Sequence, residues 1–412
     1  MIDAKTSARA PNMLATLMVL LLLAACASPA EVLTPVAQGT VPPGASRVSM
    51  LVATSRQPSG DPGTLFSGER GRQLSLANLE ISIPPDTARQ SGTVQWPSRL
   101  PPDPRKDFAV TRVEPMSVPQ VREWLHHNSH QGRVLVFVHG FNNRFADAVF
   151  RFAQIAHDSQ ANAAPILFTW PSRGSVFDYV YDRESANYSR TALERSLKAL
   201  VGDPDVKDIT VMAHSMGTWL TVEALRQMAI RDGNIPSKIQ NVILASPDLD
   251  VDVFARQWTE MGTKRPKFTI FVSQDDKALA ASRILSGGIK RVGAINPAEE
   301  PYRTEIEKAG ITVIDLTNLK SGDRLNHGKF AESPEIVQLI GRRIASGQAL
   351  TSTNVGFGDK VGAALLGTAN AVGSVAATTV SVPTNILTAP VKHTEKASVG
   401  EILQSQEEAK VE

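Results

Sequence analysis

The stretch at residues 209–217 reads Ile-Thr-Val-Met-Ala-His-Ser-Met-Gly, and it decides the fold of this chain. Its apolar first half is typical of a buried strand, and residues 218–230 continue with a helical pattern. A serine at a sharp strand-to-helix turn is the geometry of a nucleophile elbow. Such a turn needs small residues two places before and after the serine. Ala213 and Gly217 fill these places, although glycine is the more usual residue at the first, so we predict an elbow at Ser215.

Composition and charge indicate an ordinary globular protein. The chain has 412 residues, of which 42% are hydrophobic and 20% charged, and its formal net charge is +2. Acidic and basic residues are interspersed, so no basic stripe or acidic tail points to a nucleic-acid partner. We therefore expect no nucleic-acid binding and favour small-molecule chemistry.

The first 25 residues are typical of a lipoprotein signal peptide. Lys5 and Arg9 precede the apolar run 13–23, which is too short to span a bilayer as a helix. Cys26, the only cysteine of the chain, lies at the small-residue cleavage point and resembles the lipidated cysteine of a bacterial lipobox. An ordinary secretory signal is the alternative. Because Ala27 rather than aspartate follows, we expect a lipid-anchored protein of the bacterial cell envelope, on the outer membrane facing the periplasm.

The rest of the chain divides into three predicted parts. Residues 26–46 are rich in Pro, Ala, Ser and Thr and predict a flexible tether. Residues 47–347 form the predicted catalytic domain. Residues 348–412 predict a low-complexity tail of small residues, for which binding of an envelope partner is the alternative.

Apolar runs in the central part predict a mostly parallel, doubly wound α/β sheet with helices on both faces. The runs 48–53 and 79–83 predict an antiparallel N-terminal lead-in. Short buried strands then alternate with amphipathic helices, the strands being 134–138, 165–169, 209–212, 242–245, 268–272 and 311–314. Active sites in such sheets lie outside the carboxyl ends of the strands, so the residues that follow each run are the candidates.

The loop after the strand 134–138 predicts one half of an oxyanion hole. It reads His-Gly-Phe-Asn-Asn at residues 139–143. In a fold with a nucleophile elbow, this loop and the residue after the serine each supply a backbone N–H. We therefore predict that the amides of Phe141 and Met216 are the donors.

A serine hydroxyl needs a base and an orienting carboxylate, in the chain order serine, acid, histidine. Only His327 and His393 follow Ser215. His393 lies in the polar tail, whereas His327 lies in the loop between the last predicted strand and the helical stretch 334–344. We predict that His327 is the base.

Two carboxylates, Asp275 and Asp276, follow the strand 268–272 at the usual place of the acid. One of the pair must face the imidazole, while the other faces solvent or caps the next helix. We favour Asp276, three residues after the small Ser273, and place Asp275 second. Asp248, which follows the strand 242–245, is the competing candidate.

The remaining histidines and acidic runs do not predict a metal. The run that starts at Asp248 has Val253 where a calcium loop needs glycine and Thr259 where it needs glutamate. We expect no metal and no cofactor. We expect His139 to brace the oxyanion loop, and His214 to lie beside the pocket or beneath it.

Several segments together resemble a bacterial esterase/lipase-like α/β-hydrolase family of unknown function: 139–143, 169–172, 181–186, 213–217, 246–250 and 273–279. The resemblance covers roughly residues 46–345 and includes neither the lipobox nor the tail. It implies a serine-hydrolase fold with a triad of Ser215, Asp276 and His327, but no substrate. In that setting Trp170 and Asp182 are expected near the mouth of the pocket, although burial of the one and capping by the other explain them equally well.

The sequence thus predicts a membrane-tethered serine hydrolase that cleaves a small-molecule or lipid-like carboxylic ester through an acyl-enzyme. Thioesters and amides are variants of the same chemistry. The alternative is a catalytically silent, hydrolase-like envelope lipoprotein that acts as a binding module, because a fold does not by itself fix a function.

Overall fold

A nine-stranded sheet organises the residues that the computed structural model describes, 31–320 and 323–345. Its strands are β1 Ser46–Pro58, β2 Phe66–Ile83, β3 Ala109–Pro115, β4 Arg133–Val138, β5 Ala164–Thr169, β6 Asp208–His214, β7 Ile239–Ala245, β8 Lys267–Val272 and β9 Thr312–Asp315. Their order is β3-β2-β1-β5-β4-β6-β7-β8-β9. β2 pairs antiparallel with β1 and β3, and every other pair is parallel. The predicted mostly parallel sheet with an antiparallel lead-in is confirmed.

The edge strand β3 is an element that the sequence analysis missed. It reads Ala-Val-Thr-Arg-Val-Glu-Pro, and its burial falls away toward its second half. Charged residues and a terminal proline are typical of an edge strand, which has one unpaired side. Such a strand lacks the continuous apolar run that identified the central strands.

Helices cover both faces of the sheet. Within the described residues they are α1 Val118–Asn128, α2 Phe145–Ser159, α3 Tyr179–Gly202, α4 Met216–Asp232, α5 Val251–Glu260, α6 Lys277–Leu285, α7 Tyr302–Ala309, α8 Lys329–Glu332 and α9 Pro334–Ala345. One hydrophobic cluster packs α1, α3, α4 and α5 on one face, and a second packs α2, α8 and α9 on the other. Alternate residues of β4 enter the two clusters, which explains why its sequence is a continuous apolar run.

The described part of the predicted tether, residues 31–46, is held against the fold rather than free. Val32 and Leu33 are buried in the cluster that packs α2. The Leu33 amide donates to Gly63 O at 3.1 Å, and the Val36 amide donates to Val110 O at 2.8 Å. The flexible-tether prediction is therefore wrong from residue 31 onward, because two apolar side chains in a polar segment suffice to anchor it.

Other predicted features lie outside the described residues. These are the signal peptide 1–25, Cys26, and the tail 348–412 with His393. Among the helices of the described ranges, none has the length and apolar character needed to cross a membrane.

Candidate active site

Ser215 occupies the sharp turn between β6 and α4. Its φ is 52° and its ψ −127°. This conformation is energetically unfavourable for any residue other than glycine, and it persists only where the surrounding structure imposes it. The Ser215 amide donates to Ala245 O at 3.0 Å, and the Thr218 amide donates to Ser215 O at 3.0 Å. A Cβ on Gly217 would lie 2.2 Å from His139 O. The close approach of α4 to the loop after β4 therefore requires glycine at position 217.

His327 and Asp276 form a hydrogen-bonded pair at the same edge of the sheet. His327 Nδ1 lies 2.6 Å from Asp276 Oδ2, and Asp276 is buried. Its other oxygen, Oδ1, accepts from the Leu279 amide at 2.9 Å and so caps α6. Burial disfavours the charged imidazole, but the hydrogen bond and the charge of Asp276 outweigh it, so the pKa of His327 lies above its usual value.

The loop that carries His327 lies against the elbow. Its carbonyl oxygen, His327 O, is 3.3 Å from His214 Nε2 and accepts from Ser246 Oγ at 3.2 Å. The rings of His214 and His327 are 4.7 Å apart between centroids. Over the described part of the chain, no hydrogen bond joins the Ser215 hydroxyl to the imidazole. The structure thus brings the His327–Asp276 pair near the serine, but the hydrogen bond between serine and histidine that completes a triad is not formed. In structures without a ligand this hydrogen bond is often long or absent.

His214 lies between the base candidate and the hydrophobic core. Its ring is 4.8 Å from the ring of Phe330 and is tilted against it. Burial and the neighbouring His327 hold the pKa of His214 well below its usual value, so it is neutral at ordinary pH. A neutral imidazole here supports the loop without placing a second positive charge beside His327.

Asp275 points to a different partner from Asp276. Its carboxylate oxygens lie 2.8 and 2.9 Å from Lys329 Nζ, and the lysine is buried. The same ammonium group donates to Leu316 O at 3.0 Å and to Thr317 O at 3.1 Å. This cluster fastens the segment after His327 to the end of β9, and neither sequence pattern nor resemblance predicted it.

The carboxylate of Asp248 binds side chains other than His327. Its Oδ1 accepts from Ser282 Oγ at 2.5 Å and lies 3.3 Å from Arg291 Nε, while its Oδ2 accepts from Tyr179 Oη at 3.2 Å. Its charge still contributes to the raised pKa of His327, so it lies near the site. Its hydrogen bonds join α3 to α6 beside the pair.

Asp182 holds the loop that carries the oxyanion-hole candidates. It is fully buried, and its Oδ2 accepts from the Asn142 amide at 3.2 Å and from Ser172 Oγ at 2.5 Å. Burial raises the pKa of its carboxyl group. The amides of Phe141 and Met216 donate to no other group in the described ranges, so both are available to a ligand.

His139 and Trp170 lie beneath this loop. Their rings stack with centroids 4.9 Å apart and planes 10° apart. His139 Nε2 accepts from the Trp170 amide at 3.1 Å, and its Nδ1 donates to Gly140 O at 2.9 Å. Burial and the charge of Arg56 lower the pKa of His139 to about 3, so it is neutral. Trp170 and Asp182 are both fully buried, which agrees with burial as the alternative explanation for the tryptophan. Their place near the mouth of the pocket stays a prediction.

Arg56, like Lys329, is a residue near this site that sequence reasoning missed. It is fully buried at the end of β1 and donates to Asn143 O at 2.7 Å and to Ser172 O at 2.8 Å. Burial lowers its pKa to about 10, which Asp182 opposes, so it stays charged at neutral pH. The available signal was its position: it follows the apolar run 48–53 at the carboxyl end of a strand that lies parallel to β5.

A serine in a strained strand-to-helix turn, with a histidine–aspartate pair on the loops that follow β8 and β9, is the arrangement of an α/β hydrolase. Residues 118–343 match the family described as alpha/beta hydrolase of unknown function (DUF900). This match spans more than half of the chain, and the chain belongs to this family. The family resemblance predicted from the sequence is confirmed.

More distant similarities extend over smaller or more divergent regions. A stretch of 75 residues is 39% identical to the uncharacterized protein alr1448 of Nostoc sp., covering 18% of this chain and 19% of that protein. The match thus spans about a fifth of the length of this relative. An esterase of Pyrobaculum calidifontis is 13% identical, with a TM-score of 0.33 over 56% of this chain and 94% of its own. A fungal esterase of Rhizomucor miehei is 13% identical, with a TM-score of 0.32 over 67% and 79%.

In residues 31–320 and 323–345, no group of three or more His, Cys, Asp or Glu side chains is arranged to hold a metal ion. The polar groups of the site instead bind one another in pairs and clusters.

Proposed function

We propose that this chain is a serine hydrolase that cleaves a carboxylic ester through an acyl-enzyme intermediate. The observation that carries the proposal is the 2.6 Å contact between His327 Nδ1 and the buried Asp276, beside a serine in a strained turn. A hydrogen bond from Nδ1–H to a carboxylate leaves Nε2 with its lone pair, which is the form a general base needs.

In the proposed reaction Ser215 Oγ attacks the ester carbonyl carbon while His327 Nε2 takes the hydroxyl proton. The tetrahedral oxyanion accepts hydrogen bonds from the amides of Phe141 and Met216. His327 then gives its proton to the departing alcohol, and the acyl group stays on Ser215. A water molecule, deprotonated by the same imidazole, releases the carboxylic acid and restores the serine.

Asp276 stabilises the imidazolium that forms in each half of this reaction. It is fixed twice, by the imidazole and by the amide of Leu279 at the start of α6. The neighbouring His139 and His214 both have lowered pKa values and remain neutral. Consequently neither of these two imidazoles adds a positive charge that would oppose the one His327 acquires.

A fluorophosphonate probe tests the proposal without knowledge of the substrate, because it reacts with an activated serine. We expect labelling of the wild-type protein and its loss in Ser215→Ala and in His327→Ala. Ser196→Ala is the matched control, since that hydroxyl donates only within α3, to Ala192 O at 2.9 Å. Absence of labelling in folded wild-type protein would contradict the proposal and favour a catalytically silent binding module.

We also propose that Cys26 carries a lipid that anchors the protein in the cell envelope, on the outer membrane facing the periplasm. The apolar run before it and the small residues at the cleavage point support this. Mass spectrometry of the mature N-terminus should find a diacylglyceryl-modified cysteine, which Cys26→Ser would remove. An unmodified N-terminus beginning elsewhere would contradict it.

A further inference from the structure

The most exposed large apolar side chains of the described residues lie in two short segments. They are Phe177 (83% exposed), Ile284 (80%), Val180 (73%) and Leu285 (68%). Val176 and Ile289 are exposed in the same two segments. We call residues 176–180 and 283–290 the apolar rim. Side chains of this size so fully exposed indicate a surface that meets an apolar partner.

The two segments of the apolar rim meet beside the active site. Tyr179 Oη, between Phe177 and Val180, lies 2.9 Å from Ser282 Oγ in α6 and 3.5 Å from Ser286 Oγ just after it. The ring of Tyr179 is 5.2 Å from the ring of Phe141, whose amide is an oxyanion-hole candidate. Helix α6 itself begins directly after Asp276. The apolar rim therefore flanks the entrance to the catalytic serine.

The second segment of the apolar rim, with the helix α6 that leads into it, carries only positive charge. Residues 277–291 contain no acidic side chain, and three of their cations, Lys277, Arg283 and Lys290, are exposed. On the other segment, the carboxylate of Asp178 is paired with Arg173 at 3.1 Å. Exposed apolar side chains interleaved with cations are typical of surfaces that bind anionic lipid headgroups while inserting into the acyl boundary.

The path of the N-terminal segment brings a membrane within reach of this edge. Glu31 packs against Gly63, in the loop that leaves the carboxyl end of β1, the sheet edge that carries Ser215. Glu31 is five positions after Cys26, so the chain between them spans at most about 18 Å. With the proposed lipid on Cys26, the domain would lie directly on the bilayer.

We propose that the apolar rim docks onto the surface of an anionic lipid bilayer, and that Ser215 hydrolyses the ester bond of a long-chain acyl lipid taken from that surface. Water adds across the ester bond, which gives a fatty acid and an alcohol. The proposal that the protein docks on a bilayer does not require that it be a hydrolase. The proposed substrate, in contrast, rests on the proposed function.

Docking is measured in the full chain carrying Cys26→Ser, which removes the lipid anchor and the only native cysteine. A single cysteine at Val180→Cys carries an environment-sensitive fluorophore, and Ile230→Cys, an exposed aliphatic position near the end of α4, is the matched control. With vesicles of phosphatidylglycerol and phosphatidylcholine, we expect a blue shift at position 180 only. Arg283→Glu should weaken the partitioning about fivefold or more, since each cation near an anionic surface contributes about that factor.

An equal shift at both positions, or none at position 180, would overturn the docking. So would a shift from dimer to monomer caused by Phe177→Asp, because the rim would then bind a second copy of the chain. The same titration in Ser215→Ala should be unchanged. The docking result therefore stays separate from the outcome of the fluorophosphonate experiment.

The substrate is tested with two esters of one alcohol, a long-chain ester carried in anionic vesicles and a soluble short-chain ester. Phe177→Asp should lower hydrolysis of the vesicle ester at least tenfold and leave the short-chain rate within about twofold. Equal losses on both esters would overturn the lipid-substrate proposal, because the rim would then act on the fold or the catalytic centre itself.

Discussion

Changing each of the neighbouring residues Asp275 and Asp276 to asparagine should have a different effect: one change should lower stability, and the other should lower activity. Asp276→Asn keeps the shape of the side chain, and its amide oxygen can still cap α6 at the Leu279 amide. It removes the negative charge 2.6 Å from His327 Nδ1 and permits the wrong tautomer. The same change in a serine-protease triad lowers kcat on the order of 10⁴-fold, which corresponds to about 5.5 kcal/mol of transition-state stabilisation.

Asp275→Asn should instead affect stability. It leaves the Lys329 ammonium, whose side chain is 2% exposed, without a counter-charge. Breaking a fully buried pair costs about 3–5 kcal/mol. Because the Asp275 side chain is 41% exposed, solvent screens part of this, and we expect a loss of about 1–3 kcal/mol in the free energy of unfolding.

The assay compares the rate of fluorophosphonate labelling with denaturant unfolding followed by circular dichroism. We expect Asp276→Asn to label on the order of 10⁴-fold more slowly, as the triad precedent indicates, with nearly unchanged stability. Asp275→Asn should unfold at lower denaturant and label within about tenfold of the wild-type rate. If Asp276→Asn labels normally while Asp248→Asn does not label, the reasoning about the acid is refuted.

Three further perturbations test other parts of the site. The pKa of His327 is raised, and a general base must be neutral. The labelling rate should therefore rise with pH, with a midpoint above about 6.5, the ordinary pKa of histidine. A midpoint at or below that value would contradict the pairing of His327 with Asp276. Arg56→Met leaves three carbonyl oxygens, those of Ser67, Asn143 and Ser172, without their donor, so the free energy of unfolding should fall by about 2–5 kcal/mol. The exposed Arg47→Met should cost about 0.5 kcal/mol or less. Gly217→Ala would place a Cβ 2.2 Å from a carbonyl oxygen and should abolish labelling, whereas Gly202→Ala, which meets nothing within 4 Å, should leave it intact.

The parallel sheet was predictable because its strands are buried on both faces. Continuous apolar runs such as 134–138 and 268–272 mark such strands, and the fold places all their carboxyl ends at one edge. That rule alone put Ser215, Asp276 and His327 in one region of space. The choice between Asp275 and Asp276 depends on the turn that caps α6, which the sequence only suggests.

Long-range burial of charge was not predictable in the same way. Arg56 and Lys329 are types that usually remain solvated, and their burial depends on carbonyl groups far along the chain. The same limit applies to residues 31–46, where the average composition is that of a linker. Two apolar residues, Val32 and Leu33, decide that this segment packs, and an average over twenty residues conceals them.

Because of the Lys329 cluster, the position of His327 does not depend on how long the loop before it is. Lys329 Nζ binds the carbonyls of Leu316 and Thr317, so the two ends of this loop are joined to each other across its base. On the far side, Asp323 Oδ1 accepts from the His327 amide at 2.9 Å. Residues inserted between Thr317 and Asp323 would therefore enlarge the loop without displacing the imidazole, since closing a slightly longer loop costs little entropy. The size of this loop, and with it the surroundings of the site, can therefore change while His327 keeps its position.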